Sequence, residues 1–315
     1  MSTSGQLSEQ ERAVRAGAGL VDRSARGKLA LSGGEAKRFL QGQVTQDVVA
    51  LEPGTGAYAA FLTNKGKMLG DLRVLDAGDE LLLDTERVAL QALFNMIRRY
   101  SLGFDAELHR RTLERGLLSL VGPQARALLG DAAAELGEAE HDHLASEVDG
   151  IPVRLIATWE GVDLLVDSTR TAELAAALEA RGATPVAEEV AEALRVEAGR
   201  PRYGLELDEG TIPQEAGLNE RAVSFTKGCY VGQETVARLF YKGKPNRHLR
   251  GLRLSEPVAP GTELTLGERV VGVVGTVATS PQHGPIALAL VRREAEPGAT
   301  VTAGAATAEV VAPPF

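Results

Sequence analysis

One octet concentrates the residue types that do chemistry. Lys227-Gly228-Cys229-Tyr230-Val231-Gly232-Gln233-Glu234 sets the only thiol of the chain between two glycines. A thiol acts as nucleophile or metal ligand in its thiolate form, which an adjacent ammonium such as that of Lys227 favours. Gly228 and Gly232 permit tight turns or close backbone approach. The bland alternative is that Cys229 is a small buried filler, as many intracellular cysteines are. A cysteine–histidine pair would need His109, His141, His143, His248 or His283, and no spacing rule brings one to Cys229.

A second cluster runs from Leu194 to Leu218, where Glu197 stands near the end of an expected helix that Gly199 and Pro201 then break. A carboxylate so placed can accept two parallel hydrogen bonds from a flat heterocycle with adjacent N–H donors, such as a pterin or guanine. A surface salt bridge is the plainer reading of the same residue. From Lys227 to Arg253, seven basic residues face the single acid Glu234, a net charge of +6 that leaves -15 for the remaining chain. That segment suits an anionic partner (carboxylate ligand, phosphate or RNA) or a solvated interdomain linker equally well. His141-Asp142-His143 lacks the spacing of a helical zinc pair and reads as solvent-exposed loop, so no metal site is expected. Neither the dinucleotide-binding nor the nucleotide-triphosphate glycine pattern occurs.

The elements that must hold these residues follow from length and pattern. With 315 residues, 44% hydrophobic and 24% charged, the chain exceeds one compact core and has globular proportions. A net charge of -9 argues against direct nucleic-acid binding through the whole surface. One cysteine excludes an intrachain disulfide and any all-cysteine cluster site within one chain, which suits a reducing compartment. The polar start MSTSGQLSEQER has no export signature, and no apolar run reaches the roughly 20 residues of a membrane helix. The expectation is therefore cytoplasmic, without membrane contact.

Ala57–Thr63 and Lys67–Asp76 read as a hairpin turned through Asn64 and Gly66, and Val88, Leu90, Leu93, Phe94, Ile97 and Tyr100 mark an amphipathic helix. LALSGGEAKRFLQ from Leu29 aligns without gaps on LSLVGPQARALLG from Leu118, each reading strand, tight turn, helix, with Gly33 and Gly122 in the turns. Two related α+β units are inferred. The stretch from Phe225 reads as strand-like. Beyond a boundary near Lys244-Pro245, residues 249–254, 263–266, 270–277, 286–291 and 308–311 read as short strands of a small antiparallel barrel or sandwich.

The octet Lys227–Glu234 closely resembles the signature of the YgfZ family, folate-binding relatives of the glycine-cleavage T-protein that include a mitochondrial iron–sulfur assembly factor. Leu194–Leu218 resembles a segment shared by YgfZ and T-proteins, and Gly272–Pro281 resembles their C-terminal barrel motif. The resemblance implies an α+β fold, a ring of T-protein-like (ferredoxin-like) units over 1–244 with a C-terminal antiparallel β-barrel over 245–315. It implies a tetrahydrofolate site in which Glu197 holds the pterin and Arg221 lies by the ligand. Cys229, as a reactive thiol, with Lys227, Gly228, Gly232, Gln233 and Glu234 would form the family-specific part. Where T-proteins carry an acidic pair this chain has Gly70-Asp71; one carboxylate fewer weakens proton handling at a transferred one-carbon group. The implied function is that of a folate-binding accessory protein for assembly or repair of iron–sulfur enzymes, with effects on tRNA modification. The alternatives are an aminomethyltransferase or other one-carbon transferase, and an RNA-binding module.

Overall fold

The computed structural model describes residues 3–315; Met1 and Ser2, the start of the polar N-terminal segment, lie outside the described residues. From Thr3 to Ala16 that segment is helical. Contacts divide the chain into two compact units, residues 1–59 with 71–191 and residues 60–70 with 192–315.

The first unit carries the internal repeat. Gly27–Ser32 pairs antiparallel with both Glu80–Thr85 and Glu107–Arg110, and Arg115–Val121 pairs antiparallel with both Gly19–Asp22 and Gly161–Asp167. Each strand passes through a glycine of positive φ (Gly33 +107°, Gly122 +121°) into a short helix, Ala36–Gln41 or Ala125–Leu129. The two aligned segments thus have the same local form, each inside its own sheet. One sheet has five strands and extends to Gly56–Leu62; the other has six and ends at His143–Val148. Leu118, Leu120, Leu155, Val162, Leu164 and Val166 pack the larger sheet against Leu174 and Leu178 of the helix Thr171–Ala180. Fully burying an aliphatic side chain contributes about 1.5–3 kcal/mol, so this layer dominates the local energetics.

The amphipathic helix is Leu90–Tyr100, and it buries Leu93, Met96 and Ile97. Val88 and Tyr100, expected on the same face, are exposed. The helix begins after Val88, and Tyr100 closes its last turn with the Arg99 guanidinium 5.4 Å from its ring.

The second unit contains a closed six-stranded antiparallel barrel in the order Arg247–Leu254, Gly284–Arg292, Arg269–Ser280, Glu263–Leu266, Thr300–Ala303, Ala306–Val311. Strand Gly284–Arg292 is apolar on both faces for a structural reason. Ala287, Ala289 and Val291 point into the barrel, whereas Ile286, Leu288 and Leu290 pack outside it on Val196 and Leu249. Thr300–Ala303 escaped the sequence reading because its inward residues are the small Val301 and Ala303, which make a weak alternation. The helix Glu188–Glu197 leads into this unit, which also holds residues 60–70, the hairpin tip. The strand-like reading of the octet region is corrected: a loop runs through Cys229, and Gln233–Lys242 is a helix. Its stripe of Val236, Leu239 and Phe240 has the i, i+3, i+4 spacing of a helix, and only Val236 is buried.

Candidate functional site

The octet owes its shape to Gly232. Its φ of +85° caps the helix Gln233–Lys242, and a Cβ there would stand 2.5 Å from the Thr63 carbonyl oxygen. The expected hairpin turn lies directly alongside, with Gly66 (φ +76°) close to the Thr235 side chain and the Gly232 carbonyl. The structure therefore brings together two motifs far apart in sequence, the Thr63–Gly66 turn and the octet. A Cβ on Gly228 would meet nothing within 4 Å, so open space rather than backbone necessity surrounds that glycine.

Cys229 is exposed, which removes the buried-filler reading. The two residues that hold its loop are inward: Lys227 and Tyr230 are each 8% exposed, with the ammonium 5.2 Å from the ring centroid, a cation–π contact. Burial pushes the Tyr230 hydroxyl up to about 12, so it stays protonated. Ser224 Oγ accepts from the Lys227 amide at 3.2 Å, and Tyr230 O accepts from the Gln233 amide at 3.2 Å. Gln233 and the exposed Glu234 open the helix, where an acidic side chain suits the positive end of the dipole.

Glu197 is the last residue of its helix and half-buried; its carbonyl accepts from the Phe315 amide at 2.9 Å. The chain behind it is fixed by residues that sequence reasoning did not single out. Arg195 donates to Glu206 at 3.0 Å, to Glu192 at 2.9 Å and to Thr276 Oγ1 at 2.6 Å, and Glu206 accepts from the Thr276 amide at 2.9 Å. These bonds tie the loop after Glu197 to a barrel strand. Arg221 lies on the short helix Asn219–Ala222 and lines a cleft of about 460 Å³ that also takes in Ala198 and Gly199, the residues following Glu197.

The +6 segment does not form one surface. Arg247 makes a bidentate pair with Glu215 (3.2 and 2.9 Å), Lys227 is buried on Tyr230, and Arg253 is within 3.8 Å of Glu309. Phe225 stacks on Phe240 with ring centroids 3.8 Å apart, and Tyr241 meets both edge-on.

Asp71 belongs to the first unit, on the strand Met68–Asp76, and is 6% exposed. Tyr58 Oη donates to its Oδ2 at 2.6 Å. Burial pushes the carboxyl up to about 6, against the Tyr58 hydrogen bond and with reinforcement from Glu86. Nearby Asp84 shows the opposite outcome: burial alone would lift it, but Arg26 and Arg73 hold it well below the carboxylate range. Arg73 also donates to Asp163 at 2.6 Å, joining the two sheets of this unit through a buried ion network. Tyr58 was missed because a lone tyrosine in an apolar strand carries no positional signal.

The His141-Asp142-His143 expectation of solvent exposure is corrected. His141 and His143 are 8% and 3% exposed, and Arg154 Nη1 lies 2.9 Å from His143 Nδ1. Burial, helped by Arg154, lowers His143 to about 4, so it is neutral near pH 7. No cluster of His, Cys, Asp and Glu suited to a metal ion occurs among the described residues. Among them, too, no helix is long and apolar enough to cross a membrane.

Comparison with known proteins gives this geometry a lineage. The family of the GCVT N-terminal domain matches residues 2–227, and that of the CAF17 C-terminal beta-barrel domain matches residues 247–315. An aminomethyltransferase of Rubrobacter xylanophilus is 34% identical over 309 residues, covering 93% of this chain and 81% of its own. The tRNA-modifying protein YgfZ of Yersinia enterocolitica is 31% identical over 243 residues, covering 76% and 73%. The crystal structure of the glycine cleavage system aminomethyltransferase T from Bartonella henselae superposes with a TM-score of 0.86 at 26% identity, covering 98% of this chain and 89% of that one. The chain thus belongs to the GCVT-domain family that unites the YgfZ proteins with the T-protein aminomethyltransferases.

Proposed function

We propose that this chain is a cytoplasmic tetrahydrofolate-binding accessory protein that supports assembly or repair of iron–sulfur enzymes and, through such enzymes, tRNA modification. The observation that carries the reading is the presentation of Cys229: exposed, on a loop fixed from beneath by Lys227 and Tyr230, and followed by a glycine-capped helix. A thiol so displayed can act as nucleophile, redox group or transient ligand toward a partner. The residues present also fit a folate. Glu197, half-buried at a helix end, offers two carboxylate oxygens to the paired N–H donors of a pterin. Arg221 is assigned to the ligand's surroundings, and Lys227, Gly228, Gly232, Gln233 and Glu234 to the support of Cys229. When bound, tetrahydrofolate would supply a carrier for one-carbon groups. With one cysteine, the chain offers a cluster transient contact rather than storage.

Anaerobic calorimetric titration of tetrahydrofolate should give saturable binding that Glu197→Ala abolishes. Absence of binding by folded wild-type protein would remove folate from the reading. In a strain lacking the protein, Cys229→Ser should fail to restore iron–sulfur enzyme activity; full complementation would remove the thiol.

A second reading, a tetrahydrofolate-dependent aminomethyltransferase, is favoured by Asp71. A buried carboxyl near 6 is suited to exchange a proton at neutral pH. Purified protein given tetrahydrofolate and an aminomethylated lipoyl carrier would then release ammonia above background, and lose that release as Asp71→Asn. No turnover by the wild type rejects it.

A further inference from the structure

The outer edge of the five-stranded sheet carries a pocket of about 500 Å³ that shares no residue with the thiol, pterin or Asp71 assignments. Its walls come from two elements. The helix Leu90–Tyr100 gives Phe94 and Arg98, with Ser101 at its cap, and the strand Glu107–Arg110, last in its sheet, gives Leu108, His109 and Arg110. Arg111 and Glu114 follow the strand and complete the lining. In a chain of net charge -9, three arginines here face one acid.

That acid is already engaged. Arg111 Nη1 donates to Glu114 at 2.7 Å and its Nη2 to Glu80 at 3.4 Å, so Arg111 and Glu114 largely neutralise each other. Arg98 and Arg110 are left with no carboxylate among the described residues. The helix dipole accounts for a cation in the last turn, as at Arg98, but not for one on the neighbouring strand. Arg110 is the informative member: its guanidinium lies over Phe94, 4.4 Å from the ring centroid. Stacking holds a guanidinium by its face and leaves the N–H donors along its rim available. His109 adds a donor. Its Nε2 is 2.7 Å from Ser32 Oγ, and with that hydroxyl donating, the imidazole proton sits on Nδ1, which has no partner among the described residues. The Ser101 hydroxyl has none among them either.

We propose that this pocket binds the phosphate group of a small metabolite, with Arg110 as the bidentate anchor, Arg98 as the second cation, and Ser101 and His109 as flanking donors. Donors on both walls suit a tetrahedral phosphate with three free oxygens better than a planar carboxylate with two. The volume lies in the range of small-molecule sites, about 300–1,000 Å³, and Phe94 with Leu108 supplies an apolar wall for the body of the ligand. Tetrahydrofolate carries no phosphate, so this site goes beyond the folate reading.

The test is calorimetric titration of pyrophosphate at low ionic strength, with citrate as the carboxylate probe. Pyrophosphate should saturate the wild-type protein at a single site, and citrate should bind more weakly. Arg110→Gln should weaken pyrophosphate by about tenfold or more, the value of a charge-assisted hydrogen bond, and Arg98→Gln should weaken it as well. Phe94→Leu changes no charge and should weaken binding by about threefold, since the ring no longer holds Arg110 in place. Arg99→Gln removes an equal charge from the same helical turn, outside the pocket, and should bind as the wild type does. Arg98, Arg99 and Arg110 are all exposed, so replacing them leaves the core intact. Glu197→Ala should also retain the probe, so that failure of the folate reading leaves this one standing. Absence of saturable pyrophosphate binding by wild-type protein overturns the proposal, as does equal weakening by Arg99→Gln and Arg110→Gln, or citrate binding as tightly as pyrophosphate.

Discussion

Replacing Asp71 by Asn should make the protein more stable at neutral pH and remove a pH dependence that only this carboxyl supplies. In the folded state the group titrates near 6, whereas an unperturbed aspartate titrates at 3.8. A raised folded pKa means that the native state holds the proton more tightly than the unfolded chain. The associated stability is complete below about pH 4 and is lost as the pH rises through 6. The loss amounts to about 3 kcal/mol, from the interval between 3.8 and about 6 at about 1.36 kcal/mol per pH unit. Asn keeps an oxygen to accept from Tyr58 Oη and has no charge to bury, so the variant escapes the loss. Urea unfolding followed by circular dichroism should show a gain over wild type of up to about 3 kcal/mol at about pH 7.5 that shrinks to near zero at about pH 4. His143 works in the other direction over an overlapping range. Its folded value near 4 lies below the ordinary 6.5, so its contribution is present above 6.5 and fades as the pH falls toward 4. It is common to both proteins, and the difference between variant and wild type cancels it. A difference that does not change with pH would refute the argument that burial raises the Asp71 carboxyl.

Three further outcomes follow from geometry. Gly232→Ala should cost about 1–3 kcal/mol or more in the same unfolding assay, because its φ of +85° and its closeness to Thr63 O leave no room for a Cβ, whereas Gly228→Ala should change stability little. Equal effects would contradict the assigned roles. The native protein should react with one equivalent of a chromogenic disulfide reagent without denaturant, since its single cysteine is exposed; reaction only after unfolding would place Cys229 inside. Leu288→Ala should destabilise by about 2–5 kcal/mol, because Leu288 is fully buried between the barrel wall and Val196. A change below about 1 kcal/mol would mean that the wall can collapse around the gap.

The fold was legible where patterns are strong. The Leu29 and Leu118 segments read as strand, turn and helix, and the positive φ of Gly33 and Gly122 explains why glycine stands in both turns. Five of the six barrel strands were visible from apolar runs between turn residues; Thr300–Ala303 was not, since Val301 and Ala303 carry too little hydrophobic contrast. The octet itself could be picked out as chemistry, yet its neighbours misled: Val236, Phe240 and Tyr241 have strand propensity, whereas the helical spacing of Val236, Leu239 and Phe240 and the cap at Gly232 decide otherwise. The two histidines at 141 and 143 went wrong because acidic, polar flanks suggest a loop. In the structure the loop folds back, Ala157 accepting from the His141 amide at 2.8 Å and Thr55 O lying 3.2 Å from His143 Nε2.

The discontinuity of the second unit has a bearing on biogenesis. Its hairpin, residues 60–70, leaves the ribosome early, but the helix Gln233–Lys242 against which Gly66 rests is made much later. The hairpin also rests on an earlier segment, where Lys67 Nζ donates to Gly210 O at 3.0 Å and the Met68 amide to Thr211 O at 2.9 Å, so its contacts are made in stages, each closing a long loop at an entropic cost. A fragment beginning at residue 192 would keep every barrel strand and lack the turn that abuts Gly232. The setting of Cys229 is therefore completed only once the helix Gln233–Lys242 has been made and Gly232 can meet the Thr63–Gly66 turn.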